Sequence, residues 1–325
     1  MSLKGNLSLE EFLTEWHNDS PTVLVHTSGS TGKPKPMLVE KRRMEASARI
    51  TCQFLGLHEG DTALLCMPLD YIAGKMMVVR ALTCGLRLVS VEPKGCPAWE
   101  GPVDFAAMVP LQVWNLLQQA PERLRQIRHL IIGGGAINDE LATALKDLPN
   151  HIWSTYGMTE TLSHIALRRL NGPDRSDWYT PFEGVEVSLN AENCLVINAP
   201  VVHDGLLVTN DIAELSTQQF RILGRKDNVI CSGGVKIQIE EVERLLHPHL
   251  HELYIITKAP DTRLGEQVVL LTESTDIDAV RHCCEQVLPK YWQPRRYLHV
   301  DRLPLTETGK PARAEAERLA TQFEI

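Results

Sequence analysis

The chain has 325 residues, of which 43% are hydrophobic and 23% are charged, and its formal net charge is −8 at pH 7. This composition is typical of a globular protein with room for one full-sized and one small domain. The negative charge provides no overall basic surface for nucleic acid. We find neither a basic, apolar leader nor a run of about 18 apolar residues, so we expect no membrane insertion. A small-molecule function in the cytoplasm, with eight reduced cysteines, is the starting hypothesis.

The predicted elements of the first half of the chain alternate between helices and strands. Ser8 and Glu11 form a capping box that begins a short helix. The following segments are strand 22–28, helix 41–55, strand 62–67, helix 75–84, strand 87–91, strand 105–109, helix 111–119, strand 129–134, helix 139–147 and strand 151–157. Apolar strands that alternate with helices predict an α/β fold with a doubly wound, mostly parallel sheet.

The pattern changes after about residue 163, where we expect the core of this sheet to end. Short strands with turn signals at 185–189, 194–200, 205–211 and 220–225 predict an antiparallel β-subdomain. Segment 224–237 then leads to helix 239–246, strands 253–257 and 266–272, helix 278–288, strand 296–300 and a terminal helix after Pro311. This order predicts a first domain at 1–226 and a small α+β domain at 227–325.

The segment HTSGSTGKPKP at residues 26–36 follows the first predicted strand. Its hydroxyls and backbone amides could wrap a polyphosphate, while Lys33 and Lys35 supply positive charge. Only two residues separate Gly29 from Gly32, so the segment is not a Walker A loop, which needs four and a final hydroxyl. The alternative interpretation is an ordinary turn rich in serine and glycine.

A second candidate segment, STYGMTET at residues 154–161, also follows a predicted strand. Tyr156 could stack on a base, Thr159 could hydrogen-bond a phosphate oxygen, and Glu160 offers an oxygen ligand for magnesium. The alternative is a turn with Glu160 in solvent. The glycines of GGGA at 133–136 are a weaker signal, because glycines after a strand are common in turns.

Charged residues in two later segments suggest nucleotide chemistry. Asp211 and Arg225, fourteen positions apart, could share the two hydroxyls of a ribose. Lys310 follows a glycine in LPLTETGKPAR, from where a mobile loop could bring a cation to developing negative charge. Taken singly, each of these side chains could equally be surface charge.

Together and in this order, the motifs resemble those of the adenylate-forming superfamily, which includes acyl-CoA synthetases, adenylation domains and luciferases. The matching segments are HTSGSTGKPK, GGGA, STYGMTET, TNDIAEL, FRILGRKDNVICSGGVKI and LTETGKPAR. The resemblance implies a large domain that binds ATP and a carboxylic acid, and a small domain that reorients between two half-reactions. The first makes an acyl-adenylate, and the second transfers the acyl group to CoA.

The resemblance also implies roles for individual residues. The pyrophosphate end of ATP would be held by the loop residues Thr27, Ser28, Gly29, Ser30, Thr31, Gly32 and Lys35. The rest of the nucleotide would be bound by Gly134, Gly135, Tyr156, Asp211 and Arg225. The catalytic residues would be Thr159 at the α-phosphate, Glu160 as ligand of Mg2+, and Lys310 between the attacking carboxylate and the α-phosphate. Asp227 matches the hinge, and Gly233 and Gly234 match the loop that lines the CoA tunnel.

Within the superfamily, HTSGSTGKPK, PLDYIAG, YGMTETLSH and GRKDNVICSGG are most similar to o-succinylbenzoate:CoA ligases of menaquinone biosynthesis. This resemblance implies an acid pocket with Tyr71, Arg80, Gly157 and Ser163, in which Arg80 meets the second carboxylate of o-succinylbenzoate. The alternative for Arg80 is a side chain that extends to the surface. We expect His164 to pack or hydrogen-bond rather than act as a base.

The sequence departs from the family pattern at three points. Pro36 and Tyr71 replace a glycine and a histidine of many relatives, and the phosphate loop begins about a hundred residues earlier than usual. Three other functions remain open: a CoA ligase for another aryl or acyl acid, an adenylation domain that loads a carrier protein, and a nucleotide-binding protein without catalysis. Whether the chain forms a homodimer is also open.

Overall fold

The computed structural model describes residues 7–26, 36–135, 137, 139–306 and 311–322. The helices are α1 (Leu9–His17), α2 (Lys41–Leu55), α3 (Ile72–Cys84), α4 (Pro110–Gln119), α5 (Pro121–Arg125), α6 (Asp139–Leu145), α7 (Ile239–Leu246), α8 (Ile277–Val287) and α9 (Arg313–Gln322). Within the described ranges, none of these helices has the length and apolarity that a membrane span requires.

The strands of the first half are β1 (Thr22–His26), β2 (Pro36–Glu40), β3 (Thr62–Leu65), β4 (Arg87–Ser90), β5 (Val103–Met108), β6 (Ile127–Ile132), β7 (His151–Gly157), β8 (His164–Arg169) and β9 (Thr180–Pro181). Those of the second half are β10 (Glu186–Leu189), β11 (Cys194–Asn198), β12 (Leu206–Leu215), β13 (Phe220–Arg225), β14 (Val229–Ser232), β15 (Val235–Gln238), β16 (Tyr254–Asp261), β17 (Gly265–Thr272) and β18 (Arg296–His299).

The main sheet has the strand order β4-β3-β5-β6-β7-β8-β9 in the described part of the chain. Strands β4, β3, β5, β6 and β7 are parallel, and β8 and β9 extend the sheet with antiparallel pairing. From β3 the chain moves outward to β4 and then returns to the other side of β3 with β5. This reversal confirms the predicted doubly wound, mostly parallel sheet.

Successive residues of the central strands face two separate cores, which is why these strands are apolar throughout. Ala63 and Leu65 of β3 pack with Phe105 in the core that α2 and α3 cover. Leu64 and the following Cys66 belong to the core on the other face, beneath α4, α5 and α6. Because helices cover both faces of the sheet, its strand ends are the part that remains for ligands.

The prediction that the core ends near residue 163 was wrong. Strand β8 pairs with β7, and its Ile165 and Leu167 are buried in the same core as α2 and α3. The predicted antiparallel sheet is confirmed in the order β10-β11-β12-β13, but its Leu195 and Phe220 join that core as well. The turn signals after residue 163 marked a change to shorter strands, but the apolar core continues past this residue.

A further sheet lies in residues 229–299, with the order β15-β14-β17-β16 and with β18 parallel to β17. One face packs on α7 and α8 through Val242 and Val280, and the other packs on α9 through Ala316 and Ala320. The hairpin of β14 and β15 begins within segment 224–237, to which no strand was assigned from the sequence, and ends at Gln238. The boundary at residues 226 and 227 stays a prediction.

Candidate nucleotide and acid site

The candidate site lies at the carboxyl ends of parallel strands β6 and β7, where open α/β sheets bind ligands. The glycine loop that follows β6 is close to β7, since a Cβ added to Gly133 would lie 2.4 Å from Thr155 Oγ1. Gly134 has a φ of 75°, which favours glycine. The loop that includes Gly134 and Gly135 is therefore adjacent to the strand that carries Tyr156.

Tyr156, Asp211, Arg225 and Asp227 lie together, as expected for a nucleotide site. The hydroxyl of Tyr156 donates to Asp211 Oδ2 at 2.6 Å, and Arg225 Nη1 donates to Asp211 Oδ1 at 3.1 Å. Arg225 Nη2 donates to Asp227 Oδ2 at 2.8 Å, and Asn210 Nδ2 contacts both oxygens of Asp227 at 3.2 Å. Asp211 and Arg225 are opposite residues of β12 and β13, so strand register explains their spacing of fourteen positions.

Burial and charge set the protonation of this cluster. Burial, followed by the charge of Asp211, raises the pKa of Tyr156, so its hydroxyl is a hydrogen-bond donor at neutral pH. Burial alone would lower the pKa of Arg225, but the hydrogen bond to Asp227 and the charge of Asp211 outweigh it, and the pKa is raised. The Tyr156 ring packs edge-on against Phe220 at 5.0 Å between centroids. An aromatic ring and a paired carboxylate and guanidinium thus stand side by side.

A tight turn follows β7 and separates a buried hydroxyl from an exposed carboxylate. Residues Thr159–Thr161 form one turn of 3-10 helix, in which Thr159 is buried and Glu160 is exposed. Thr161 Oγ1 donates within this turn and also accepts from Met158 N at 3.0 Å. A Cβ added to Gly157 would lie 2.2 Å from Ser163 O, so β7 and β8 can meet only with glycine at this position.

The donor set at this edge fits a magnesium ion that arrives with a nucleotide. Glu160 presents an exposed carboxylate, and Mg2+ is usually held by one or two carboxylates together with phosphates and water. Among the residues described, no group of three or more His, Cys, Asp and Glu side chains could hold a metal ion. A protein-only metal cage is therefore absent from this part of the chain.

Arg80 is buried in α3, with only 2% of its surface exposed, so the alternative that it extends to the surface was wrong. Its Nη2 donates to Ser163 Oγ at 2.6 Å, and its Cζ lies 5.9 Å from the centroid of Phe105. Within the described ranges, its Nε has no hydrogen-bond partner, and its Nη1 donates to Met77 Sδ at 3.8 Å rather than to a carboxylate. Burial lowers the pKa of Arg80 to about 10, so it is a cation at neutral pH.

A buried hydrogen-bond chain continues from Arg80 to helix α2. Ser163 Oγ lies 3.1 Å from His164 Nδ1, and His164 Nε2 lies 3.1 Å from Thr51 Oγ1. Burial and then the charge of Arg80 lower the pKa of His164 well below its usual range. His164 is therefore a neutral hydrogen-bonding residue. Sequence reasoning missed Thr51, because a threonine within a helix carries no signal for a contact 113 positions away.

The remaining predicted residues of the acid and CoA sites occupy helix and strand ends. Tyr71 is the N-cap of α3 and is half-buried, nine positions before Arg80. Gly233 and Gly234, with φ of 58° and 84°, form the two-residue turn between β14 and β15, which explains both glycines sterically. Gly233 N donates to Leu264 O at 2.9 Å. A CoA role for this turn stays a prediction.

Two predicted segments lie outside the described residues: the phosphate loop with Thr27, Ser28, Gly29, Ser30, Thr31, Gly32 and Lys35, and Lys310. The residues that flank the first segment pair with each other, since His26 of β1 is opposite Pro36 of β2. Sequence reasoning missed the buried Lys75, whose Nζ donates to Leu24 O at 2.7 Å and so ties α3 to β1. Leu305 and Pro311 likewise form an antiparallel bridge across the second segment.

Comparison with known proteins agrees with this architecture. A family model described as AMP-binding enzyme matches residues 5–197, which is more than half of the chain. The chain therefore belongs to the AMP-binding enzyme family. The predicted α/β fold is confirmed by solved structures of such enzymes.

Individual relatives carry more specific names. A 2-succinylbenzoate–CoA ligase from Geobacillus kaustophilus is 29% identical, and the alignment covers 100% of this chain and 72% of the relative. The structure of an acyl-CoA synthetase (AMP-forming)/AMP-acid ligase II-like protein from Dyadobacter fermentans is 32% identical with a TM-score of 0.64, covering 93% of this chain and 90% of that one. An O-succinylbenzoate coenzyme A synthetase from Bacillus subtilis, solved with ATP and a magnesium ion, has a TM-score of 0.74 at 23% identity. The match covers 90% of this chain and 69% of that one.

Proposed function

We propose that the protein is an o-succinylbenzoate:CoA ligase of menaquinone biosynthesis. It would convert ATP, o-succinylbenzoate and CoA into o-succinylbenzoyl-CoA, AMP and pyrophosphate through an acyl-adenylate. The names of its relatives support this assignment at the level of the reaction. A cytoplasmic location, where ATP and CoA are supplied, is part of the proposal.

The observation that carries the proposal is the buried guanidinium of Arg80 beside the turn that follows β7. A buried cation without a carboxylate partner is unfavourable, so a substrate carboxylate that reaches Arg80 would be stabilised. o-Succinylbenzoate has two carboxylates. One would bind near Arg80, and the other would be free to react at the nucleotide.

The chemistry follows from the charges that the site must handle. The reacting carboxylate attacks the α-phosphorus of ATP, the bond to pyrophosphate breaks, and a mixed anhydride with AMP results. The thiol of CoA then displaces AMP. The main barrier in the first step is charge crowding at phosphorus, which positioned donors and cations relieve. Thr159, Lys310 and the phosphate loop with Lys35 would serve at the phosphates, where Mg2+ held with Glu160 would neutralise charge.

The nucleotide would lie along the cluster of Tyr156, Asp211 and Arg225. The Tyr156 ring offers a flat apolar surface for adenine beside Gly134 and Gly135, and the Asp211 carboxylate can accept hydrogen bonds from ribose hydroxyls. Arg225 already holds Asp211 in place at 3.1 Å, so the carboxylate is oriented before the ligand arrives. Such preorganisation reduces the entropy that binding must overcome.

We also propose that residues 1–226 and 227–325 act as two domains that reorient about Asp227 between the half-reactions. The separate sheet and the separate cores of the second part support this division. Asp227 connects them while it is held by Arg225 and Asn210. A break of these exposed contacts would cost little, because exposed ion pairs contribute about 0–1 kcal/mol.

The test is acid-dependent exchange of labelled pyrophosphate into ATP, followed by mass spectrometry of the thioester formed with CoA. We expect exchange with o-succinylbenzoate and weak exchange with benzoate, which lacks the second carboxylate. Arg80→Met should raise the KM for o-succinylbenzoate on the order of 100-fold while the KM for ATP changes little. The matched control is Arg125→Met, which removes an exposed arginine of α5.

Each of the other functions predicts a different outcome of this assay. Exchange with another acid but not with o-succinylbenzoate would indicate a different acid:CoA ligase. Exchange without thioester formation from free CoA would indicate a domain that loads a carrier protein. No exchange with any acid would indicate a nucleotide-binding protein without catalysis, and it would refute the proposal.

A further inference from the structure

The hydrogen bonds that lead from Arg80 to helix α2 have directions that are fixed at both ends. Arg80 Nη2 can only donate, so Ser163 Oγ accepts from it at 2.6 Å. At the other end, the backbone carbonyl of Ser47 can only accept, and Thr51 Oγ1 donates to it at 3.1 Å. A hydroxyl has a single hydrogen to donate. The two ends therefore limit what the ring of His164 between them can do.

The neutral ring of His164 satisfies every contact in only one of its two forms. With the hydrogen on Nε2, the ring donates to Thr51 Oγ1 and its bare Nδ1 accepts from Ser163 Oγ, each at 3.1 Å. With the hydrogen on Nδ1, the hydroxyl of Thr51 would have to leave Ser47 O, and the Ser163 hydrogen would have no acceptor among these contacts. His164 and Thr51 are both buried, where an unmade hydrogen bond is costly. The ring therefore carries its hydrogen on Nε2.

We propose that Thr51 and His164 are positioning residues that fix how Arg80 presents its cation to the acid, an inference that rests on the proposed function. Because the Ser163 hydrogen points to His164, the lone pairs of Ser163 Oγ face Arg80 Nη2 and hold that nitrogen. Arg80 Nε has no partner among the described residues, and Nη1 contacts Met77 Sδ, a weak acceptor, at 3.8 Å. These two nitrogens are the donors for the second carboxylate of the substrate.

The acceptor on Thr51 is the part of this network that can be removed without a change of shape. Thr51→Val leaves the hydrogen on His164 Nε2 unpaired, so the hydrogen moves to Nδ1 and donates to Ser163. The Ser163 hydrogen then turns away from the ring, and Arg80 is held less firmly. We expect the KM for o-succinylbenzoate to rise about fivefold, the factor that one hydrogen bond between neutral groups contributes. The kcat should change by less than about twofold, because binding of the remote carboxylate is uniform through the reaction.

The kinetic experiment measures pyrophosphate exchange by the purified full-length protein with o-succinylbenzoate and with benzoate. Thr51→Val should raise the KM for o-succinylbenzoate but leave kcat/KM for benzoate and the KM for ATP unchanged, since benzoate lacks the second carboxylate. Thr51→Ser restores the hydroxyl and should return the KM to that of the wild type. The matched control is Thr272→Val in β17, where a buried hydroxyl donates to the carbonyl of Leu253 at 2.8 Å. This control should keep the KM of the wild type.

A spectroscopic experiment tests the position of the ring hydrogen directly. Nitrogen NMR of protein labelled at histidine distinguishes the two neutral forms, and the signals of His164 are those missing from His164→Gln. The wild type and Thr272→Val should carry the hydrogen on Nε2 at pH 7. Thr51→Val should carry it on Nδ1. A change in packing alone would not move this hydrogen from one nitrogen to the other.

Three results would overturn the inference. These are a wild-type ring with its hydrogen on Nδ1, an unchanged KM for o-succinylbenzoate in Thr51→Val, and an equal loss with o-succinylbenzoate and benzoate, which would indicate a general defect in packing. Failure of the proposed function is distinguishable, because the wild type would then show no exchange with o-succinylbenzoate. The NMR measurement needs no activity and would still report the form of His164.

Discussion

The hydroxyl of Tyr156 links the main sheet to the antiparallel sheet through its 2.6 Å hydrogen bond to Asp211. We predict that Tyr156→Phe lowers the free energy of unfolding by about 1.5–3 kcal/mol, the usual contribution of a hydrogen bond to a charged group. The variant keeps the ring, so stacking is preserved while Asp211 loses one of its donors. Urea denaturation followed by far-UV circular dichroism measures the difference.

Tyr179→Phe is the matched control for this variant. The Tyr179 hydroxyl bonds to the neutral Ser154 Oγ at 2.9 Å, and its ring stacks on the same Phe220. A hydrogen bond between neutral groups contributes about 1 kcal/mol, so this control should cost less than Tyr156→Phe. Equal costs for the two variants would show that the charge of Asp211 adds nothing to the bond.

His129 of β6 is expected to make stability depend on pH. Its ring stacks on His151 at 4.9 Å between centroids. Burial and then the charges of His151, Arg128 and Arg169 lower the pKa of His129 to about 4, and the opposing charge of Asp61 is smaller. The unfolded chain therefore binds more protons than the folded chain between pH 4 and about 6.5. The contribution of the neutral His129 to stability is fully present above this window and is lost as pH falls through it.

We predict that His129→Gln flattens this dependence. From pH 7 to pH 4.5, the free energy of unfolding of the wild type should fall by about 2 kcal/mol more than that of the variant, after discounting for the partial exposure of the ring. Urea denaturation at pH 4.5, 5.5 and 7 measures the difference between the two proteins. The control is His58→Gln, which replaces an exposed histidine and should keep the slope of the wild type. A variant slope equal to that of the wild type would refute the assignment.

Helix α9 begins immediately after the segment that contains Lys310, and its first residue is firmly held. Arg313 binds both carboxylate oxygens of Glu243 in α7, at 2.8 and 2.7 Å, and donates to Ile256 O at 2.8 Å. Ala312 N donates to Pro304 O at 2.9 Å, so the residues before and after the lysine segment are hydrogen-bonded to each other. The helix start therefore acts as an anchor for that segment.

We predict that Glu243→Gln slows adenylation about tenfold, since small displacements of a positioned group are costly in rate. Gln keeps the shape of the side chain but removes the charge that pairs with Arg313. Formation of thioester from supplied acyl-adenylate should change less than twofold, because Lys310 is proposed to act only in the first half-reaction. The control is Glu315→Gln in α9, whose ion pair with Arg318 is exposed. Equal slowing of both half-reactions would indicate general destabilisation instead.

Helices and strands with a clear periodicity were predicted closely, and those defined by their partners were not. Helix α2 and strand β7 have the predicted bounds, and Gly56, with a φ of 63°, marks the end of α2. Strand β2 was missed because it begins at a proline and is ordered by pairing with β1. Strand β8 was missed because its buried face depends on α2 and Phe182 rather than on its own alternation. Partners distant in sequence leave no local signal.

In the candidate site too, features with a local sequence signal were predicted and contacts between distant segments were not. The cluster of Tyr156, Asp211 and Arg225 was predicted from motifs, and the structure brings these residues together. Arg80 and Ser163 were both predicted for the acid pocket and His164 was expected to pack or hydrogen-bond, and the structure joins the three. The contact with Thr51 could not be predicted, since α2 and His164 meet only in the folded protein. Motifs thus predicted which residues of the Tyr156 cluster lie together, whereas packing decides which residues surround Arg80.

The proposed exchange between two arrangements of the domains makes a prediction about Lys310. If the second domain carries Lys310 to the nucleotide only for adenylation, Lys310→Ala should remove one cation at the phosphates, a loss on the order of 3–4 kcal/mol in that step. Thioester formation from supplied acyl-adenylate should then proceed at close to the rate of the wild type.

Pyrophosphate exchange measures the first step, and mass spectrometry of the thioester measures the second on the same enzyme preparation. The matched control is Lys290→Ala, an exposed lysine of the same part of the chain, which should leave both steps unchanged. Because reorientation separates the two steps in space, the lysine can be essential to one and dispensable in the other. Equal loss in both would mean that Lys310 stays at one site throughout, and the proposed reorientation would fail with it.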